Sequence, residues 1–284
     1  MTKTAGCAGV PTNAASQPIG AHVTTTTQDI EAVATENGLH RRDVLLVALT
    51  VASGAVDAIS YFGLGKIFSA FMTGNMVFLG FGIANLEGPC KPVVLALSLY
   101  AAGAYLGWRI TTWRSPESGV WPRRMSVLLA LVALAEAGFL TMWVATAGQP
   151  STAITDVLVV LFSLAMGIQT AAVRSLGVQG VFTTAGTFTL VAFAETLAGS
   201  RPRSEIPRLV GVLVGLVAGA IGGGLLVVHA RSYAPLLPLV ITVLVIVAGR
   251  TMQGSSRRSA RRTEHRRRSG LFWGNPAAIR AQQD

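Results

Sequence analysis

The stretch Phe68-Ser69-Ala70-Phe71-Met72-Thr73-Gly74-Asn75-Met76 sets a polar Thr-Gly-Asn step inside an apolar segment. A related stretch lies 112 residues further on, where Phe182-Thr183-Thr184-Ala185-Gly186-Thr187-Phe188-Thr189 again flanks a glycine with hydrogen-bonding residues. A glycine inside a helix costs up to about 1 kcal/mol relative to alanine. Non-helical backbone at membrane depth is tolerated only where protein buries it or water reaches it. The two steps therefore read as helix breaks whose Thr and Asn groups serve a ligand or the freed backbone. The alternative is a small-residue packing contact, with Asn75 hydrogen-bonded to a neighbouring helix.

The rest of the chain sets the solvent. Of 284 residues, 51% are hydrophobic and 13% charged, against about 25% charged in a soluble domain. Several apolar runs approach the roughly 20 residues that cross a bilayer core as a helix. The net charge of +10 sits largely at segment ends and in the tail, as the positive-inside rule leads one to expect. That placement points away from nucleic acid. Cys7 and Cys90 offer no disulfide framework or CxxC pair, and His22, His40, His229 and His265 are scattered, so neither a metal site nor a cofactor is expected.

Residues 1–41 read as a disordered polar leader, 42–249 as a transmembrane domain and 250–284 as an Arg-rich cytoplasmic tail. An all-α polytopic fold is expected, with about eight apolar segments near 43–63, 67–86, 92–113, 125–147, 153–174, 178–199, 207–229 and 233–249. At the offset of 112, Gly65 matches Gly177, Gly74 matches Gly186, Gly103 matches Gly215, and Gly107 matches Gly219. Asp57 falls opposite Gln169, and Asn75 opposite Thr187. The pattern predicts two four-segment repeats, 43–147 and 153–249.

Loop charges bear on topology. Eight full crossings with an internal N-terminus put Arg114, Arg123 and Arg124 outside and the neutral Gly148-Gln149-Pro150 loop inside, against the positive-inside rule. If segments 2 and 6 are broken or re-entrant, those arginines move inside with Arg201, Arg203, Arg208 and the tail. Each half then has three net crossings and the second half is inverted, an architecture of secondary transporters. A plain bundle of seven or eight spans stays open beside it.

The run Ser53-Gly54-Ala55-Val56-Asp57-Ala58-Ile59-Ser60-Tyr61, followed by Phe68 through Asn75, resembles the YoaK-like family of bacterial multi-pass membrane proteins. Gly167-Ile168-Gln169-Thr170-Ala171 and Thr183-Thr184-Ala185-Gly186-Thr187 are similar to the family's second motif, with Ala185 standing where a Thr is expected. The resemblance covers about residues 43–249. It implies an integral membrane protein and supplies no reaction.

Among the carboxylates in apolar segments, Asp57 lies well inside segment 1 and shares a helix face with Tyr61. Intramembrane carboxylates usually face the bundle interior or a cavity, so Asp57 is a candidate proton or cation site, or else a structural partner of Arg174. Glu136 is central in segment 4, but its offset partner is Ala248, which sets it apart from a symmetric site. Gly211, Gly215, Gly219 and Gly223 form a small-residue face suited to a gate seam or a homo-oligomer contact. The Arg257–Arg268 cluster fits anionic lipid.

These readings converge on an inner (plasma) membrane protein with both termini cytoplasmic. The leading expectation is a small-solute secondary transporter or channel-like protein, not an enzyme. Its binding residues would come from Asp57, Tyr61, Thr73, Gly74, Asn75, Gln169, Thr170, Arg174, Thr184, Gly186 and Thr187. A non-transporting scaffold or stress-response component, with the same residues structural, is the alternative.

Overall fold

The computed structural model describes residues 20–86, 88, 90–112, 120–178, 184 and 186–253, with side chains from residue 37 onward. The chain divides into two compact units, residues 1–39 and 40–284. Helices form α1 (Gly20–Gly63), α2 (Met72–Ile83), α3 (Cys90–Thr112), α4 (Arg123–Ala145), α5 (Thr152–Arg174), α6 (Gly186–Leu197) and α7 (Ile206–His229). A last helix, α8, covers 236–253. No strand occurs among the described residues.

Among the described residues six helices are long and apolar enough to cross a membrane: α1 from Asn37, α3, α4, α5, α7 and the segment Arg231–Gln253. The other two, α2 and α6, have only 12 residues each. At 1.5 Å per residue they reach about 18 Å, well short of a hydrocarbon core of about 30 Å. The apolar runs 67–86 and 178–199 are thus not continuous helices. Helix α1 also begins at Gly20, inside the leader expected to be disordered, where Gln28, Glu31, Ala32 and Ala34 are good helix formers. The remaining leader residues 1–19, the tail from 254, Arg114 and the pair Thr183 and Ala185 lie outside the described residues.

Local signals set the ends. The chain leaves α1 and α5 through Gly65 and Gly177, both in the left-handed region at φ 94° and 64°, where a Cβ is penalised. Pro207 sits in the first turn of α7, where its missing N–H costs nothing. Beyond α6, Ser200 donates to Glu195 across left-handed Gly199.

Two close glycine seams position the interior. Helix α7 lies on α1, where a Cβ on Gly219 would collide with Val51 O, one on Gly223 with Ala55, and one on Gly54 with Leu216 O. Helix α5 lies on α3 in the same manner, with Gly103 against Leu164 O, Gly107 against Ala171, and Gly167 against Tyr100 O. Because lipid chains are as apolar as leucine, such backbone approach, rather than hydrophobic burial, drives association in the bilayer. The glycine face of α7, expected as a gate seam or an oligomer contact, is therefore filled by α1 of the same chain. Helix α2 packs on α3, and α6 on α7. Spans α1 and α5 are the most buried.

Helix α4 runs antiparallel to the Arg231–Gln253 span and is clamped to it at both ends. At one end Trp143 Nε1 donates to Arg231 O at 2.7 Å, and Arg231 Nε donates to Gly148 O at 2.7 Å. At the other, Trp121 Nε1 and Gln253 Nε2 both donate to Ser126 Oγ, at 3.1 and 2.9 Å, and Gly249 meets the Trp121 ring. On its other side α4 stacks Phe139 on Phe162 of α5, centroids 3.5 Å apart.

Candidate functional site

Asp57 projects from α1 onto the chain between α1 and α2. Its Oδ1 accepts the backbone N–H groups of Ser69, Ala70 and Phe71 at 3.0, 2.7 and 3.3 Å. Successive N–H groups converging on one oxygen form an anion nest. All three bonds end on Oδ1, the residue is only half-buried, and Oδ2 has no bond among the described residues. Ser60 Oγ and Ser69 Oγ, 2.7 Å apart, tie the same segment to α1. The expected ion pair with Arg174 is not made: among the described residues Asp57 has no cationic partner, and Arg174 closes α5 at an exposed position. The N–H nest takes the place of the guanidinium.

Asn75 completes the knot. Its Nδ2 donates to Phe68 O at 2.6 Å, and its Oδ1 accepts from Phe68 N at 2.9 Å, so one fully buried amide pairs both polar groups of a single peptide position. The break is therefore not at Thr73-Gly74-Asn75 but just before it, at residues 64–71. Thr73 and Gly74 belong to the first turn of α2. Thr73 is exposed, and Gly74 makes room for the Phe68 and Phe71 rings. Tyr61 stacks on Phe68 at 5.4 Å, joining an aromatic cluster rather than a polar one. Asn75→Ala strands the Phe68 N–H and C=O, and unpaired buried groups cost about 1–3 kcal/mol each. A thermal-unfolding series in detergent is expected to show a clear loss of stability for this variant, with Thr73→Ala near wild type.

The second region is held by neutral hydroxyls. Thr170 on α5 lies 2.9 Å from Thr184 Oγ1, ahead of α6, and Tyr100 OH from α3 joins both at 2.8 and 3.3 Å. Gln169 turns to α1 instead, donating from Nε2 to Leu49 O at 3.3 Å, and its buried Oε1 has no partner among the described residues. Gly186 and Thr187 open α6, and Thr187 is exposed.

The residues that make these contacts are spaced differently from the offset of 112. Asp57 and Thr170 lie 113 positions apart, as do Gly54 and Gly167. Both ends of α2 and α6, and with them Asn75 and Thr189, lie 114 positions apart, and Gly103 and Gly219 lie 116 apart. Asn75 thus stands opposite buried Thr189 rather than Thr187. Thr189, Tyr100, Ser60 and Ser69 were not among the expected residues. Ser60 lay in the quoted motif, and Thr189 would have followed from the helix register; nothing local marks Tyr100.

Ion pairs sit near the segment ends. Asp43 meets Arg42 at 3.0 Å and Arg208 at 3.5 Å, Glu205 meets Arg208 at 3.5 Å and Arg201 at 3.6 Å, and Glu195 meets Arg201 at 2.6 Å. The hydrogen bond to Glu195, backed by Glu205, raises the Arg201 pKa further above its ordinary value. A separate pair joins Lys91 to Asp156 at 2.6 Å. Asp43 and Asp156 again stand 113 positions apart.

Among the described residues no group of three His, Cys, Asp or Glu could hold a metal ion. What the site offers is a half-buried carboxylate, hydroxyls and unwound backbone inside a helical bundle. Fold and site together define a multi-span α-helical membrane protein carrying two short helices. The family described as "Protein of unknown function (DUF1275)" matches residues 45–248, and the chain belongs to that family. It is also similar to the UPF0700 transmembrane protein YoaK of Bacillus subtilis (strain 168), with 35% identity over 161 residues, 56% of this chain and 68% of that protein. No solved structure matches.

Proposed function

We propose that the protein is a small-solute secondary transporter or channel-like protein of the inner membrane, built as two four-segment halves of which the second is inverted. The observation that carries this reading is the recurrence of one device. In each half a polar residue of a central span contacts a residue ahead of a 12-residue helix, Asp57 the backbone of Ser69, Ala70 and Phe71 before α2 and Thr170 the hydroxyl of Thr184 before α6. Discontinuous helices at matching places of two repeats are the best sequence-level pointer to a transporter's binding site. The seams agree with this reading, because α3 of one half packs on α5 of the other and α7 packs on α1. Three crossing helices per half invert the second half. The loop with Arg123 and Arg124, the loop with Arg201 and Arg203, and both termini are then cytoplasmic.

Asp57 Oδ2 would face the solute or a coupling cation, and motion of one half against the other would alternate access. The corresponding pairs Asp43–Arg208 and Asp156–Lys91 would then close opposite faces. Turnover of a covalent bond is not part of the reading, and the Arg-rich tail would contact anionic lipid. Reporter fusions are expected to place the loops after α1 and α2 on the same side of the membrane; opposite sides would end the inverted arrangement. In proteoliposomes the wild type is expected to move a solute from a panel of small organic ions and metabolites. If no solute moves under any imposed gradient, the scaffold reading replaces transport. In its favour stand the complete pairing of Asn75 and the three bonds on Asp57.

A further inference from the structure

Glu136 takes no part in the proposed transport. Glu136 is fully buried on α4 and meets the Arg231–Gln253 span through Thr242, also fully buried, whose Oγ1 donates to Glu136 Oε1 at 3.3 Å. The second carboxyl oxygen, Oε2, is buried and has no hydrogen-bond partner among the described residues. The contact lies between the two end clamps of this antiparallel pair, at Trp121–Gly249 and Trp143–Arg231, and so near the middle of both spans.

Among the described residues no neighbouring element brings a countercharge to Glu136. On α4 itself, Arg123 and Arg124 occupy the first turn. From α5, Asp156 is paired with Lys91 and Arg174 stands at the exposed far end. From α3, Tyr100 is bonded to Thr170, Cys90 and Lys91 open the helix, and Tyr105 and Arg109 are exposed. Asp57 and Tyr61 of α1 are engaged by the segment before α2. On the partner span Arg231 donates to Gly148 O, and Tyr233 and Arg250 are exposed.

An ionised carboxylate with one hydroxyl donor, no cation and an orphan oxygen would bear an uncompensated burial cost. A neutral carboxyl relieves it. The geometry points to Glu136 and Thr242 as a proton-binding site in the membrane interior, with the proton carried on Glu136 Oε2 and Thr242 donating to Oε1. This site does not depend on transport and has no symmetric counterpart in the second half.

The test is infrared spectroscopy of the full chain in lipid nanodiscs, with glutamate or aspartate labelled by carbon-13 at the side-chain carboxyl. A protonated-carboxyl stretch is expected at neutral pH that moves with the glutamate label and not with the aspartate label. It should vanish in Glu136→Gln and be lost reversibly at alkaline pH. Should Glu136→Gln fail to fold, Glu136→Asp transfers the band to the aspartate label. Thr242→Val removes a hydrogen bond to the charged form and is expected to move the midpoint of this loss by about one pH unit; Thr242→Ser keeps it in place. Absence of a glutamate band in folded protein overturns the inference. So does a band that survives to the alkaline limit of folding, or one that sodium ions displace at constant pH, which would make the site a cation site.

Discussion

Gly219→Leu is expected to leave no folded protein after extraction into detergent. Gly219 is buried in α7, and a Cβ there would fall on Val51 O, with Val51 C and Cα next nearest. These are backbone atoms near the middle of the α1 span Asn37–Gly63, so no rotamer change can clear them. The two helices must separate, and with them goes the packing that holds both in register, since Gly215 and Gly223 meet α1 on the same line. A single methyl in Gly219→Ala is expected to cost about 3 kcal/mol, at the upper end of ordinary overpacking. A leucine asks for more than folds stable by about 5–15 kcal/mol can readily lose. Gly80→Leu is the control. That glycine lies on exposed α2 with nothing within 4 Å of its would-be Cβ, and helix propensity favours the change by up to about 1 kcal/mol. Size-exclusion profiles and thermal melts of the three variants check the ordering. Equal melting of Gly219→Leu and Gly80→Leu would remove the α1–α7 seam from the fold.

The glycine pattern shows what local sequence can and cannot carry. Four-residue spacing in segment 7 marked a face for close approach, and the structure places another helix there. The spacing did not identify the helix, because backbone-to-backbone contact selects no side chain in the partner: Val51 and Ala55 look like any residues of an apolar span. The membrane-crossing helices were legible for the opposite reason, since length and apolarity alone decide them. Segments 2 and 6 were legible only as unusual. Their apolar runs were long enough to span, and what shortens them is long-range. Asp57 and Thr170 act on backbone and side chains 13 and 14 residues away, and Asn75 reaches back to Phe68. The glycine that drew attention, Gly74, turns out to serve ring packing one turn beyond the break. Glu136 was set aside because symmetry gave it no partner, yet Thr242 meets it across 106 positions, a contact no offset search could find.

If the protein transports as proposed, Asp57→Asn is expected to keep the fold and lose most of the transport. The Asn side-chain carbonyl can occupy the place of Oδ1 and accept the same three N–H groups from Ser69, Ala70 and Phe71. What the substitution removes is the charge at Oδ2, the oxygen without a bond among the described residues. A hydrogen bond to a charged group is worth about 1.5–3 kcal/mol, so uptake should fall by about 10- to 100-fold while the thermal melt stays close to wild type. Asp57→Ala separates the two roles of the carboxylate. It strands three N–H groups at once, so its melt should fall as well, and its transport defect would carry no information about binding. Uptake by Asp57→Asn at the wild-type rate would make Asp57 a fastener of the segment before α2 and move the solute-contacting charge elsewhere. Thr170 offers a cross-check, since the corresponding position carries no charge: Thr170→Ser keeps a hydroxyl within reach of Thr184 and Tyr100 and should transport normally. Loss with Asp57→Asn beside normal transport in Thr170→Ser is the outcome expected if the charge of the two-part site resides in the first half alone.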